Sequence, residues 1–344
     1  MKIIYSDRHR LHRGDKEIYR GELVPCFEKP ERADYVYEAV KARNIGPILE
    51  PKEFPVAAIE RVHAPRYIRF LEKAWDMWSA LGNTRDALPA VWPVRGFRHD
   101  IEPDNFVARL GMYSFDSGTP LMAGTWAAAK IGTEIAVMAQ QLIAGGERAV
   151  FALSRPPGHH AGPDFLGGYC FVNNAAVAAQ AFRDNGAQRV VVLDVDYHHG
   201  NGTQTIFYDR ADVLFLSIHG DPKTEYPFFL GHADETGRGA GAGFNRNYPL
   251  PAGSSNASWF DALGDAVQRI HAFKPDALVI SLGVDTFADD PISKFQLREP
   301  EFLRLGAQIA GLGLPTLFVL EGGYAVSEIG HNVAHVLRGF EDAV

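Results

Sequence analysis

Short runs of aliphatic and β-branched residues recur along this chain, separated by longer stretches of helical period. The runs are KIIYS at 2–6, AVFAL at 149–153, VVVLDV at 190–195, VLFLSI at 213–218, ALVISL at 277–282 and TLFVL at 316–320. Their apolar stretches are continuous rather than alternating, which fits strands buried on both faces of a sheet. Helical patterns fill 122–144, 174–186, 201–208, 256–273, 301–313 and 327–342. Pro300 between Glu299 and Glu301 suits a helix N-terminus. Strand alternating with helix predicts an α/β fold, with a mostly parallel central sheet flanked by helices on both faces. No repeat or low-complexity linker interrupts the 344 residues, so a single domain over 1–344 is expected.

In an open parallel sheet, ligands lie beyond the carboxyl ends of the strands. Here those ends carry unusual chemistry: SRPPGHHAGPDFLGGYCFVNNAA, DYHHGNGTQ, HGD, GVDTFADDP and EGGY follow successive runs. Side chains alternate along an extended strand, so Asp194, Asp196 and His198 share one face. Asp196 and His198 form an Asp-x-His pair, and Asp285 at another strand end could supply a third ligand. Two carboxylates and one imidazole suit Zn²⁺ or Fe²⁺, with a position left open for water. A binuclear hydrolase would need ligands where Gly200 and Phe287 stand, and neither side chain can ligate. One catalytic metal is therefore expected, and arginase-like chemistry is disfavoured.

The net charge of −8 weakly disfavours nucleic acid and is compatible with a cationic ligand. Only Cys26 and Cys170 occur, too few for a disulfide framework, which fits a reducing cytoplasm. Cys170 reads as a small core residue rather than a nucleophile. The opening MKIIYSDRHR does not read as a signal peptide. No apolar run approaches the roughly 18 residues a membrane helix needs. A cytoplasmic protein without membrane or nucleic-acid partners is the expectation. The segment at about 81–118, rich in Pro, Trp, Arg and acids, lacks a clean period. A long irregular insertion in a compact domain is expected to serve as a lid or dimer contact.

RPPGHHA, GGYCFVNNAA, LDVDYHHGNGTQ, SLGVDTFADDP and EGGY resemble the zinc-dependent, histone deacetylase-like enzymes of the arginase–deacetylase fold. Within that group the chain looks most similar to the bacterial acetylpolyamine amidohydrolases, and GELVP extends the likeness toward the N-terminus. The resemblance implies one zinc per subunit, held by Asp196, His198 and Asp285. A site with two carboxylate ligands makes its water less acidic than a three-histidine site would, so it benefits from a separate general base. His160 is the candidate base, with His159 as an electrostatic partner. By resemblance, Asp194 pairs with His159 and Asn201 with His160. Tyr324, after Gly322 and Gly323, could donate its phenol to the developing oxyanion. Gly168 would offer its carbonyl beside a channel walled by Tyr169 and Tyr226.

The resemblance further implies structural K⁺. One site would use Asp194, Ser217 and the carbonyls of Asp196, His198 and Ile218; a second would use carbonyls of Phe207, Arg210, Val213 and Phe244. A homodimer is expected, its insertion narrowing the mouth, with Glu102, Asp104 and Asp116 as candidates to meet a distal ammonium. Apparent equivalents of family glutamates fall near Val107 and Gly118, which points to short substrates, N-acetylputrescine and N-acetylcadaverine. The alternative is an acetyl-lysine side chain of a protein or peptide.

Overall fold

Every apolar run read as a strand pairs within one sheet of the computed structural model, which describes residues 1–343. The chain runs β1 Lys2–Ile4, the β2 Lys16–Tyr19 and β3 Glu22–Pro25 hairpin, α1 Glu31–Ala42, β4 Ile48–Leu49, α2 Pro65–Ala80, α3 Phe106–Met112, α4 Thr125–Ala144 and β5 Ala149–Ala152. It continues through α5 Asn174–Asp184, β6 Val190–Asp194, α6 Asn201–Phe207, β7 Val213–Gly220, β8 Asn245–Leu250, α7 Asn256–Phe273, β9 Ala277–Leu282, α8 Glu299–Ala310, β10 Thr316–Leu320 and α9 Ile329–Asp342. The eight-stranded sheet has the order β4-β1-β5-β10-β9-β6-β7-β8. All its pairings are parallel; the antiparallel pair is the separate β2–β3 hairpin.

Strand periodicity divides the core. Val191, Leu193, Leu278, Ile280, Leu282, Phe318 and Leu320 face one layer, packed with α1, α7, α8 and α9. Val190, Val192, Ala277, Val279, Leu317 and Val319 face the other, with α2 to α6. Each such aliphatic side chain contributes about 1.5–3 kcal/mol by burial, so both faces of the central strands hold the sheet. Glu301 accepts from the Arg298 amide at 3.0 Å, completing the N-terminus of α8 expected from Pro300.

The sequence reading left β4, β8, the hairpin and α1 to α3 unassigned. β8, NRNYPL, carries buried Asn245 and Asn247 and ends near Pro249, a composition tolerated because it is an edge strand. In α2 the buried Tyr67, Ile68, Phe70, Leu71 and Ala74 follow a helical stripe that was available in the sequence. The insertion is not wholly irregular: Asn105 caps α3, accepting from the Ala108 amide at 3.2 Å. Among the described residues no helix is long and apolar enough to cross a membrane.

Candidate active site and metal centre

Strand register brings the site together. β6 ends with Asp194 opposite Ser217 of β7 and Ser281 of β9. The chain leaving β6 carries Asp196 and His198, the chain leaving β9 carries Asp285, and the chain leaving β10 carries Glu321 to Tyr324. One ligand atom from each of Asp196, His198 and Asp285 lies within 4.8 Å of the others, all three residues being buried. His198 Nδ1 lies 3.3 Å from Asp196 Oδ1 and 3.0 Å from Asp285 Oδ2. The carboxylates are anchored from behind: Tyr197 N–H donates to Asp285 at 2.8 Å and Gly322 N–H to Asp196 at 2.8 Å.

Burial works against charge on the His198 ring, yet the Asp196 and Asp285 carboxylates hold its pKa up to about 10. Burial, reinforced by Asp196, raises Asp285 to about 7. Two buried carboxylates this close call for a cation between them. Glycine backbone packs closely against Asp196. A Cβ at Gly283 would fall 2.1 Å from Asp196 Oδ2, and one at Gly322 would fall 2.4 Å from that oxygen. The donor set and this glycine cradle fit a divalent transition metal.

Beside the triad, His159 Nδ1 sits 3.0 Å from Asp194 Oδ2 and His160 Nδ1 2.6 Å from Asn201 Oδ1. Their environments diverge. Burial opposes charge on His159, but Asp196 and Asp194 hold its pKa up to about 10. Burial, with His159 and His198 adding repulsion, keeps His160 well below the ordinary imidazole value. Since Asn201 Oδ1 accepts from Nδ1–H, the lone pair of His160 resides on Nε2.

His160, His198 and Tyr324 line a cavity of about 510 Å³ whose walls include Gly168, Tyr169, Tyr226 and Phe115. The Tyr226 ring stands edge-on to His160, at 5.1 Å between centroids, and stacks on Phe115 at 5.8 Å. Tyr169 lies 5.6 Å from the Tyr324 ring. Gly168 has φ +54, and a Cβ there would meet His160 Cδ2 at 2.2 Å.

The expected acids are not equivalent. Asp116 lines the cavity, but its Oδ2 already accepts from Tyr226 OH at 2.7 Å and from Gly168 N–H at 2.6 Å. Glu102 and Asp104 do not line it; they flank Arg109, at 2.9 and 3.9 Å, which takes up their charge. The sequence reading missed Glu17, which lines the cavity from the hairpin and accepts from Tyr169 OH at 2.8 Å. Burial raises the Glu17 carboxyl to about 7. In the sequence it stands between Lys16 and Ile18, a setting that carries no signal of a site residue. Trp92, Arg20, Glu225 and Ile292 were also missed.

Of the groups expected around K⁺, Ser217 Oγ lies 2.8 Å from His219 Nδ1, and Ile218 is buried in the same strand. Asp194 is fully buried. Of the carbonyls expected around a second K⁺, that of Phe207 accepts from Arg210 N–H and that of Phe244 from Phe215 N–H, each leaving one lone pair, while Val213 opens β7. Cys170 is buried, its thiol donating to the Gly168 carbonyl at 3.3 Å. It also lies near His159 and Glu321 donors, but Glu321 is engaged by Gly158 N–H at 2.6 Å and His159 N–H at 3.1 Å.

Comparison with known proteins gives a consistent picture. A family model described as histone deacetylase domain matches residues 26–340. The chain is 58% identical over 341 residues to acetylpolyamine amidohydrolase 2 of Pseudomonas aeruginosa, covering 99% of each chain. It is 49% identical over 339 residues to the acetylpolyamine amidohydrolase of Mycoplana ramosa, covering 98% of this chain and 99% of that one. The crystal structure of an acetylpolyamine aminohydrolase from Burkholderia pseudomallei superposes with a TM-score of 0.95 at 40% identity, covering 100% of this chain and 99% of that one.

Proposed function

This chain belongs to the histone deacetylase domain family, and on that footing we propose that it hydrolyses the acetamide of small acetylated amines, short acetylated diamines above all. The observation that carries the reading is the convergence of Asp196, His198 and Asp285 with His160 and Tyr324 at one aromatic-walled cavity. Support for a polyamine substrate comes from the relatives named acetylpolyamine amidohydrolases. A divalent metal held by Asp196, His198 and Asp285, zinc in preference to iron, would polarise the acetyl carbonyl and lower the pKa of a water there.

The remaining steps belong to the chain's own side chains. His160 Nε2 takes a proton from the attacking water, whose oxygen joins the acetyl carbon. The Tyr324 hydroxyl donates to the oxyanion that forms, aided by cationic His159 held on Asp194. The carbon–nitrogen bond then breaks, and His160 returns the proton to the departing amine, leaving acetate. Tyr169 and Tyr226 bracket the methylene stem, with the Gly168 backbone beside it. We assign structural K⁺ to Asp194 and Ser217 with the carbonyls of Asp196, His198 and Ile218, and to the carbonyls of Phe207, Arg210, Val213 and Phe244. Both assignments rest on the resemblance of the motifs.

The insertion at 81–118 fits a lid and dimer contact. Leu81, Val91, Val94, Phe97 and Ile101 are each more than half exposed, a density of apolar side chains that favours a covered face. Trp92 of the same segment lines the cavity, so covering that face would also narrow the mouth. In such a homodimer Glu102 could serve a distal ammonium only by giving up Arg109, whereas Asp104 is fully exposed at the edge of Arg109's reach and could turn to it.

The test is kcat/KM of the zinc-loaded protein on N-acetylputrescine, N-acetylcadaverine, acetylspermidine and an acetyl-lysine peptide, with Asp285→Ala as control. Preference for the diamines, abolished in the control, is expected. The peptide as best substrate would instead make this a protein deacetylase.

A further inference from the structure

Asp290 belongs to the GVDTFADDP stretch, yet it neither ligates the metal triad nor lines the cavity. It is nonetheless buried, and every bond its carboxylate makes is to backbone. Oδ2 accepts from Tyr324 N–H at 2.7 Å and from Ala325 N–H at 3.2 Å. Oδ1 accepts from Ile292 N–H at 3.0 Å, and Ile292 lines the cavity. The tyrosine needs such a hold. Gly322 and Gly323 precede it, and Gly323 adopts φ +136, a conformation that imposes little restraint of its own. The opposite side of the same segment is gripped by Arg32, which donates to the Gly323 carbonyl at 2.6 Å and stacks on the Tyr324 ring at 4.7 Å.

The geometry points to Asp290 as the positioning residue of Tyr324: its carboxylate fixes the backbone of the tyrosine and ties it to the cavity wall at Ile292. The inference rests on the reading of Tyr324 as oxyanion donor. Arg32 holds the carbonyl end of the Gly323–Tyr324 peptide and Asp290 its N–H end, so loss of Asp290 leaves that peptide fixed at one end only; displacement of a catalytic group by about 1 Å costs on the order of 10²-fold in rate.

The experiment is a double-mutant cycle on zinc-loaded protein with N-acetylputrescine, using Asp290→Asn, Tyr324→Phe and the pair. Asp290→Asn keeps the size of the side chain but cannot accept from both Tyr324 and Ile292 sides. The expected result is a fall in kcat of roughly 10–100-fold with KM nearly unchanged and metal content retained. In the Tyr324→Phe background the same substitution should change kcat less than about twofold, because the group it positions is already gone. Full losses that multiply would show that Asp290 acts elsewhere and overturn the inference. Wild-type kcat in Asp290→Asn, with Tyr324→Phe impaired, would overturn it while leaving Tyr324 in place. Full activity in Tyr324→Phe would sink the oxyanion-donor reading itself. Should Asp290→Asn fold poorly, Asp290→Glu serves in the same cycle, since it retains the charge but shifts the carboxylate, and the same non-additivity is required of it.

Discussion

The rings of His159 and His160 lie 4.0 Å apart, centroid to centroid, and hold opposite protonation preferences. The difference comes from the charges around each ring: Asp196 and Asp194 support a cation on His159, while His159 and His198 repel one on His160. A carboxylate faces His159 Nδ1, an amide oxygen faces His160 Nδ1, and both rings are equally removed from water. Adjacent groups with diverging environments are how a site assigns separate roles to like residues.

This predicts the pH profile. Activity needs neutral His160, so kcat/KM should fall on the acid side, and only well below the ordinary imidazole value of about 6.5. Asn201→Asp would place a negative charge beside Nδ1–H, stabilise the imidazolium and move the acid limb upward by about one unit or more. A limb that stays in place would remove His160 from the role of base.

Gly322→Ala tests the metal cradle. The added Cβ would stand 2.4 Å from Asp196 Oδ2 and 2.8 Å from Asp285 Oδ2, forcing both carboxylates aside. Chelator competition should show zinc affinity weakened by roughly 10–100-fold, the range for disturbed ligand support. Unchanged affinity would mean the carboxylates do not need this geometry.

A buried ionic knot secures the N-terminal segment. Glu28 accepts from Arg155 at 2.6 and 2.7 Å and from Arg32 at 2.9 Å, all three side chains being buried. Burial opposes the Glu28 charge, but Arg155 and Arg32 hold its pKa down to about 2. Glu28→Gln leaves two buried guanidinium groups undercompensated and should cost roughly 3–5 kcal/mol at neutral pH. A pKa lowered on folding adds stability above the unfolded carboxyl value, lost as pH falls toward the folded one. Urea unfolding should therefore show the gap between wild type and variant closing between about pH 4.5 and 2; a pH-independent gap would contradict the assignment.

The apolar face of the insertion makes a prediction about assembly. Val94→Glu combined with Phe97→Glu should convert a dimer to a monomer in analytical ultracentrifugation and raise KM for N-acetylputrescine through the loosened Trp92 wall. A wild-type protein that sediments as a monomer would refute the dimer reading.

Much of this was legible without coordinates. Runs such as ALVISL and VVVLDV declare doubly buried strands, and the side-chain types at their ends name a candidate metal triad, because burial pattern and ligand chemistry are local properties of sequence. Tertiary structure alone decided the rest. Glu102, Asp104 and Asp116 look alike in a list of acids. Yet Arg109 takes up the first two, while Asp116 is spent on Tyr226, 110 residues away. Glu17 reaches Tyr169 across 152 residues to become part of the cavity. The charge of a buried group depends on its neighbours in space and on its distance from water, and folding sets both.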